Sequence, residues 1–153
     1  GVLQRGFRNE LVSSIDIFPT ILAAAGARHP DIAVPGLNLL NYMESGSKIP
    51  RDAIFGESFS HDIADIEDPE ASLLFRWSIQ GKWKLLLTYD GEVNRYKTTH
   101  PREEKRPQLF DLIADPHEKN NLAGKHPRVV RRMVKMIDDW YLVENREVLK
   151  SFK

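Results

Sequence analysis

The hydrophobic period of this chain changes near residue 50, and that change decides what it can fold into. Beyond it, Phe75, Trp77 and Ile79 alternate with Arg76, Ser78 and Gln80. Trp83, Leu85 and Leu87 then alternate with Lys82, Lys84 and Leu86. A period of two belongs to strands with two unlike faces. Gly81 stands at the break, so Leu73–Gln80 and Lys82–Tyr89 are expected to form a hairpin, ended by Asp90-Gly91. Ala53–Ser58 and Gln108–Leu112 are two further short strand patterns. From Pro127 to about Val143 the period becomes helical. Val130, Met133, Ile137, Trp140 and Tyr141 recur at three and four, and Arg128, Arg131, Arg132 and Lys135 cover the other face. The expected fold is α+β: a small antiparallel sheet of about four strands packed by a C-terminal amphipathic helix.

Upstream, Ser13–Ala27 reads as a short helix, about 16–25. Asp16 is the expected N-cap, Pro19 falls in the first turn, and Gly26 is the natural stop. The helix is apolar on nearly every side, which suits a buried helix inside a larger body. Arg28–Pro50 carries Pro30, Pro35-Gly36, Gly46 and Pro50 and reads as a connector with one ordered stretch, Leu37–Met43. A boundary is expected near residue 50. No internal repeat is visible.

Composition removes several classes of function. Among 153 residues, 22 Lys and Arg balance 22 Asp and Glu, which gives no global reason to expect a nucleic-acid partner or an anionic membrane. The absence of cysteine excludes disulfides, thiolate metal sites and a cysteine nucleophile within this chain. No apolar run approaches the ~20 residues of a membrane span. The chain opens Gly1-Val2-Leu3 without a methionine, so more sequence is expected upstream.

Few residues promise chemistry. In Leu109–Ala123, Asp115 with Pro116 and Glu118 has the spacing of a capping box. Asp111, Asp115, His117 and Glu118 are all of metal-ligating type, but capping already accounts for two of them. The loop Phe59–Ser72 carries Asp62, Asp65, Glu67, Asp68 and Glu70 without the central Gly and terminal Glu of a calcium loop. Within it, His61 and Asp62 directly follow a strand and are the preferred substrate-contact candidates. Arg95–Arg106 is basic enough to touch an anion. No phosphate loop, zinc-binding helix or nucleophile elbow is present.

Three segments, in order, resemble the late part of the sulfatase family. SSIDIFPTILAAAGA followed by PGLNLL resembles the family's Asp-x-x-Pro-Thr helix and Gly-x-x-Leu stretch, with matches at Asp16, Pro19, Thr20, Gly26, Gly36 and Leu39. GKWKLLL, Gly81–Leu87, resembles its Lys-bearing hairpin strand. QLFDLIADPHEKNNLA, Gln108–Ala123, resembles its Glu-Leu-Tyr-Asp-Leu-x-x-Asp-Pro-x-Glu-x-x-Asn-Leu signature.

The resemblance implies a parent enzyme of the alkaline phosphatase superfamily. Residues 1–50 would be the tail of its large α/β domain and 51–153 its small C-terminal domain. The parent would hydrolyse aryl or glycan sulfates with a formylglycine nucleophile and calcium, and would be exported to a periplasmic, secreted or lysosomal location. This chain departs from the pattern where the chemistry lies. It has no Cys/Ser-x-Pro-x-Arg motif; Ser47-Lys48-Ile49-Pro50-Arg51 has the wrong spacing. The calcium ligands precede the region covered. No catalytic or metal residue is therefore carried over, no cofactor is expected in this chain, and it is expected to be inactive alone. The expected partners are the missing N-terminal catalytic domain, a sulfated glycan, and a second copy bound through residues 13–27. The alternatives are a stand-alone glycan-binding or interaction module, and part of a phosphodiesterase or phosphonate hydrolase of the same superfamily.

Overall fold

The computed structural model describes residues 6–27, 33–60, 65–89, 104 and 106–143. The chain divides into two compact units, Gly1–Ile54 and Phe55–Lys153. The element order is α1 (Ile17–Ala24), α2 (Leu39–Ser45), β1 (Ala53–Phe59), β2 (Leu73–Gln80), β3 (Trp83–Thr88), β4 (Gln108–Asp111) and α3 (Pro127–Trp140).

The second unit holds a four-stranded antiparallel sheet in the order β1-β2-β3-β4. Gln80 pairs with Trp83 across a two-residue turn opened by Gly81 at φ 56°. That tight turn sets the faces. Residues 80 and 83 share one face, so the even positions of β2 lie beside the odd positions of β3. Arg76 sits opposite Leu87 and Ser78 opposite Leu85, while Phe75, Trp77 and Ile79 sit opposite Thr88, Leu86 and Lys84. The two apolar sets of the hairpin thus face opposite ways. The face of Leu85 and Leu87 is covered by α3 and forms the core with Leu109, Val130, Met133 and Ile137. Arg76 and Ser78 are buried on that same face. On the other face Trp77 lies so close over Gly56 that a Cβ there would collide with the indole ring.

The expected helical stripe is confirmed at Val130, Met133 and Ile137, all buried. Trp140 departs from it. It is 42% exposed and stacks on Phe55 with ring centroids 5.3 Å apart. The helix ends at Trp140, because Tyr141 takes an extended conformation at φ -148°.

The expected capping box at Asp115–Glu118 does not form. Glu118 adopts φ 55°, a left-handed conformation that breaks any helical path after Pro116. Its carboxylate reaches Lys84 Nζ at 2.7 Å, and Asp115 instead accepts from the Asn120 amide at 2.7 Å. Asn121 completes this segment. Its side-chain oxygen accepts from Leu109 N and Ala123 N, tying the turns to β4.

Candidate functional site

The first unit is fastened around one buried carboxylate, that of the motif residue Asp16. Asp16 is fully buried and ends a 3-10 turn, Ser14–Asp16, that leads into α1. Asp16 does not act as the expected helix cap, since its side chain makes no capping hydrogen bond to α1. It faces the connector. Its oxygens accept from Leu37 N and Ser13 N, each at 2.8 Å, and from both terminal nitrogens of Arg51, one of them at 2.6 Å. The bidentate guanidinium holds the Asp16 carboxyl down at about 2 against the opposing effect of burial.

Thr20 makes a second tie, one turn along α1. Its hydroxyl donates to Asp16 O at 2.6 Å and accepts from Leu39 N at 2.9 Å. Asp16 and Thr20 thus fasten the connector at Leu37 and Leu39, and Gly36 explains why it lies so close. At φ 102°, a Cβ on Gly36 would strike the Ile15 carbonyl. Asn38 then caps α2 by accepting from Leu40 N, and Gly46 ends that helix in the left-handed region. An open depression of about 330 Å³ beside this staple is lined by Pro19, Leu22, Ala23, Ala27, Val34, Gly36 and Asn38. None of these side chains is ionisable, so the depression offers shape rather than chemistry.

The second unit has its own buried charge. Arg76 is 3% exposed and bonds Tyr89 OH at 2.9 Å, Asp138 at 2.8 Å and the Tyr141 carbonyl. It ties β2 to β3 and to the end of α3. Burial pushes the Tyr89 phenol above its ordinary range, so it stays neutral. Tyr141 OH donates to Glu70 at 3.0 Å.

The sequence-predicted candidates are not brought together. His61 and Asp62 lie outside the described residues, as does most of Arg95–Arg106. Arg106, which is described, pairs with Glu104 at 2.6 Å. Asp111 pairs with Lys82 at 2.6 Å and accepts from Ile113 N and Ala114 N, which hold its carboxyl below the usual range. Among the described residues no group of three His, Asp or Glu side chains is placed to hold a metal. The sequence reading missed Arg51 and Arg76. The register of a two-residue turn was the available signal for Arg76; nothing in the local pattern marked Arg51.

No protein-family model matches the chain. Over 130 residues it is 30% identical to the N-acetylgalactosamine-6-O-sulfatase of Bacteroides thetaiotaomicron, covering 84% of this chain and 23% of that relative. Over 152 residues it is 32% identical to arylsulfatase A of Bos taurus, covering 94% of this chain and 28% of the relative. The phosphonate monoester hydrolase of Agrobacterium radiobacter shares the fold with a TM-score of 0.57 and 24% identity, over 88% of this chain and 25% of that one. The chain belongs with the sulfatases of the alkaline phosphatase superfamily and matches their C-terminal part. It spans about a quarter of the length of the curated relatives it matches.

Proposed function

We propose that the chain is the C-terminal portion of a sulfatase whose complete form hydrolyses sulfate esters of glycans or aryl alcohols. Residues 1–50 are then the tail of the large domain and 51–153 the small domain. The observation that carries this reading is the similarity to sulfatases over 84–94% of the chain, at 30–32% identity. The Asp16–Thr20–Gly36 staple supports it, because these three motif residues each make a specific bond or close approach in the structure. The nucleophile and calcium of such an enzyme belong to the preceding part, where a formylglycine would attack the sulfate sulfur. The phosphonate hydrolase shares only the fold and does not displace this reading.

The purified 153-residue chain should not hydrolyse a chromogenic aryl sulfate, with or without calcium. Loss of nucleophile and metal together removes most of a rate enhancement of ~10⁶-fold or more. The same chain joined to its upstream reading frame should hydrolyse it. Turnover by the isolated chain that survives repurification would overturn the assignment. His61 and Asp62 remain the proposed substrate contacts. In the complete enzyme, His61→Ala should raise KM for a sulfated oligosaccharide more than for an aryl sulfate.

A further inference from the structure

The described arginines fall into two groups. Arg8, Arg51, Arg76 and Arg106 each pair with a carboxylate. Arg128, Arg131 and Arg132 are exposed and make neither an ion pair nor a hydrogen bond among the described residues. All three lie on α3. At 3.6 residues per turn, positions 128, 131 and 132 share an arc of about 100°, and they span about 6 Å of helix length. Lys135 continues the arc but is neutralised by Asp139 at 2.6 Å. The open charge is therefore concentrated in the first half of the helix.

At Arg128, in the first turn, that placement opposes the helix dipole. The N-terminal end of a helix is the positive end and favours Asp or Glu, and the C-terminal end favours Lys or Arg. In α3 the first turn has no acid and the last turn has no base, while Asp138 and Asp139 stand near its C-terminal end. Three like charges also repel one another at this spacing. An oxyanion bound across the three guanidinium groups would turn the same field into attraction, and the planar guanidinium fork suits tetrahedral oxyanions.

We infer that the outer face of α3 around Arg128, Arg131 and Arg132 is a binding surface for a sulfated polysaccharide, separate from the site of hydrolysis. The identity of the polyanion rests on the sulfatase reading proposed above; the anion-binding surface itself rests on the three exposed arginines, which have no partner among the described residues. A nucleic acid is the weaker partner. No exposed aromatic side chain interleaves these arginines to stack on bases. The surface would hold the polymer while the catalytic part works along it.

The test uses the full 153-residue chain and needs no turnover, so it can fail or succeed independently of the hydrolysis assay. Binding to chondroitin sulfate and to heparin is measured against salt, beside chemically desulfated chondroitin and double-stranded DNA. The chain should bind the sulfated polymers and ignore the desulfated one. The combined Arg128→Gln, Arg131→Gln, Arg132→Gln variant should reduce the slope of log Kd against log salt by about two to three, at roughly 0.7–0.9 per cation lost on a linear polyanion. Its melting temperature should hold or rise by about one to three degrees, because one cation leaves the positive helix end and the repulsion among the three is relieved. Replacing all three with Lys should keep most of the binding. Unchanged binding by the glutamine variant, equal binding of desulfated chondroitin, or failure to bind either sulfated polymer would each overturn the proposal. DNA bound as tightly as chondroitin sulfate would overturn it in favour of a nucleic-acid surface.

Discussion

The two units are held together by opposite means. The second has a continuous apolar core, with Leu73, Leu85, Leu87, Leu109, Met133 and Ile137 fully buried. Among its described residues the first buries little apolar side chain beyond Pro19 and Ile49, and it leaves Ile15, Ile17, Phe18 and Ile21 about half exposed. Its order comes from Asp16 and Thr20, which receive backbone amides and a guanidinium. A hydrophobic core is a sum of many small contributions and tolerates replacement of one side chain by another of similar volume. A polar staple concentrates its stabilisation in one group, and removing that group leaves several partners unsatisfied. The first unit should therefore be fragile at single positions and the second robust.

The largest effect is expected at Asp16. Asp16→Ala leaves Arg51, Leu37 N and Ser13 N without their shared acceptor and should cost about 3–5 kcal/mol, the range for breaking a buried ion pair. Gly36→Ala should approach the same loss by a steric route. In both variants hydrogen exchange and proteolysis should accelerate within residues 14–46. All three tryptophans, Trp77, Trp83 and Trp140, lie in the second unit, so their fluorescence should stay native. Joint loss of both signals would refute the separation of the units.

Acid should reproduce this split. Arg51 holds Asp16 at about 2 in the folded chain, below its value when unfolded. A depressed carboxyl contributes its stability above about pH 4 and loses it as the pH falls towards 2. Protease sensitivity in the first unit should rise across that window, ahead of any change in tryptophan fluorescence. Asp16→Asn should remove the acid step by weakening the unit at every pH.

Arg76 sharpens the comparison, being a polar staple inside the apolar unit. Arg76→Ala should cost about 3 kcal/mol, since it opens a cavity and strips a donor from the Tyr141 carbonyl. Arg76→Met keeps the volume and should cost only about 1 kcal/mol, because apolar replacement of a buried ion often comes near neutrality. Asp138 is 38% exposed at its side chain and can turn to water in either variant. Urea unfolding followed by tryptophan fluorescence distinguishes the two. Equal losses would mean that the charge itself, rather than the packing, holds β2 to α3.

How far the sequence foretold this molecule differs between the units. In the second, period-two and period-3.6 patterns located every strand and α3 within one to three residues, because burial imposes those periods on side-chain chemistry. The same patterns did not tell which face each strand turns inward. Phe75, Trp77 and Ile79 look like the core set of β2, yet Arg76 and Ser78 occupy the helix-covered face, a consequence of the Gln80–Trp83 turn register. In the first unit, the resemblance at Asp16, Thr20 and Gly36 marked the right residues but not their role. Asp16 was legible as a cap and is instead a cross-chain acceptor. Its partner Arg51 lies 35 positions away, beyond the reach of any local pattern. Glu118 misled for a related reason, since capping-box spacing does not reveal a left-handed φ.

A smaller effect, of opposite sign, is expected at Ser78. Its hydroxyl is fully buried and makes no hydrogen bond among the described residues. An unsatisfied buried hydroxyl costs roughly 1–3 kcal/mol, so Ser78→Ala should stabilise the second unit by about 1 kcal/mol. Thermal unfolding followed by tryptophan fluorescence reads this directly. Destabilisation would show that Ser78 has a partner in solution and that the core is wetter than its apolar lining suggests.

The smallest effect on folding, and the clearest on association, belongs to the exposed row of the first unit. Ile17 and Ile21 lie one turn apart on α1, and Phe18 lies beside them at three residues from Ile21. At 58%, 59% and 51% exposure they contribute little to intramolecular packing. Substituting surface positions of this kind changes stability by about 0.5 kcal/mol or less. A contiguous apolar patch nevertheless drives association, with each side chain contributing up to ~1.5–3 kcal/mol when buried by a partner. The chain should therefore self-associate at micromolar concentration through residues 13–27. Ile17→Ser with Phe18→Ser should return it to a monomer with its unfolding curve unchanged. Light scattering on both proteins decides the matter. A wild-type chain that stays strictly monomeric, with residues 6–27 resistant to protease, would show that the row is covered within one chain. The contrast between a self-sufficient second unit and a partner-seeking first unit would then fail.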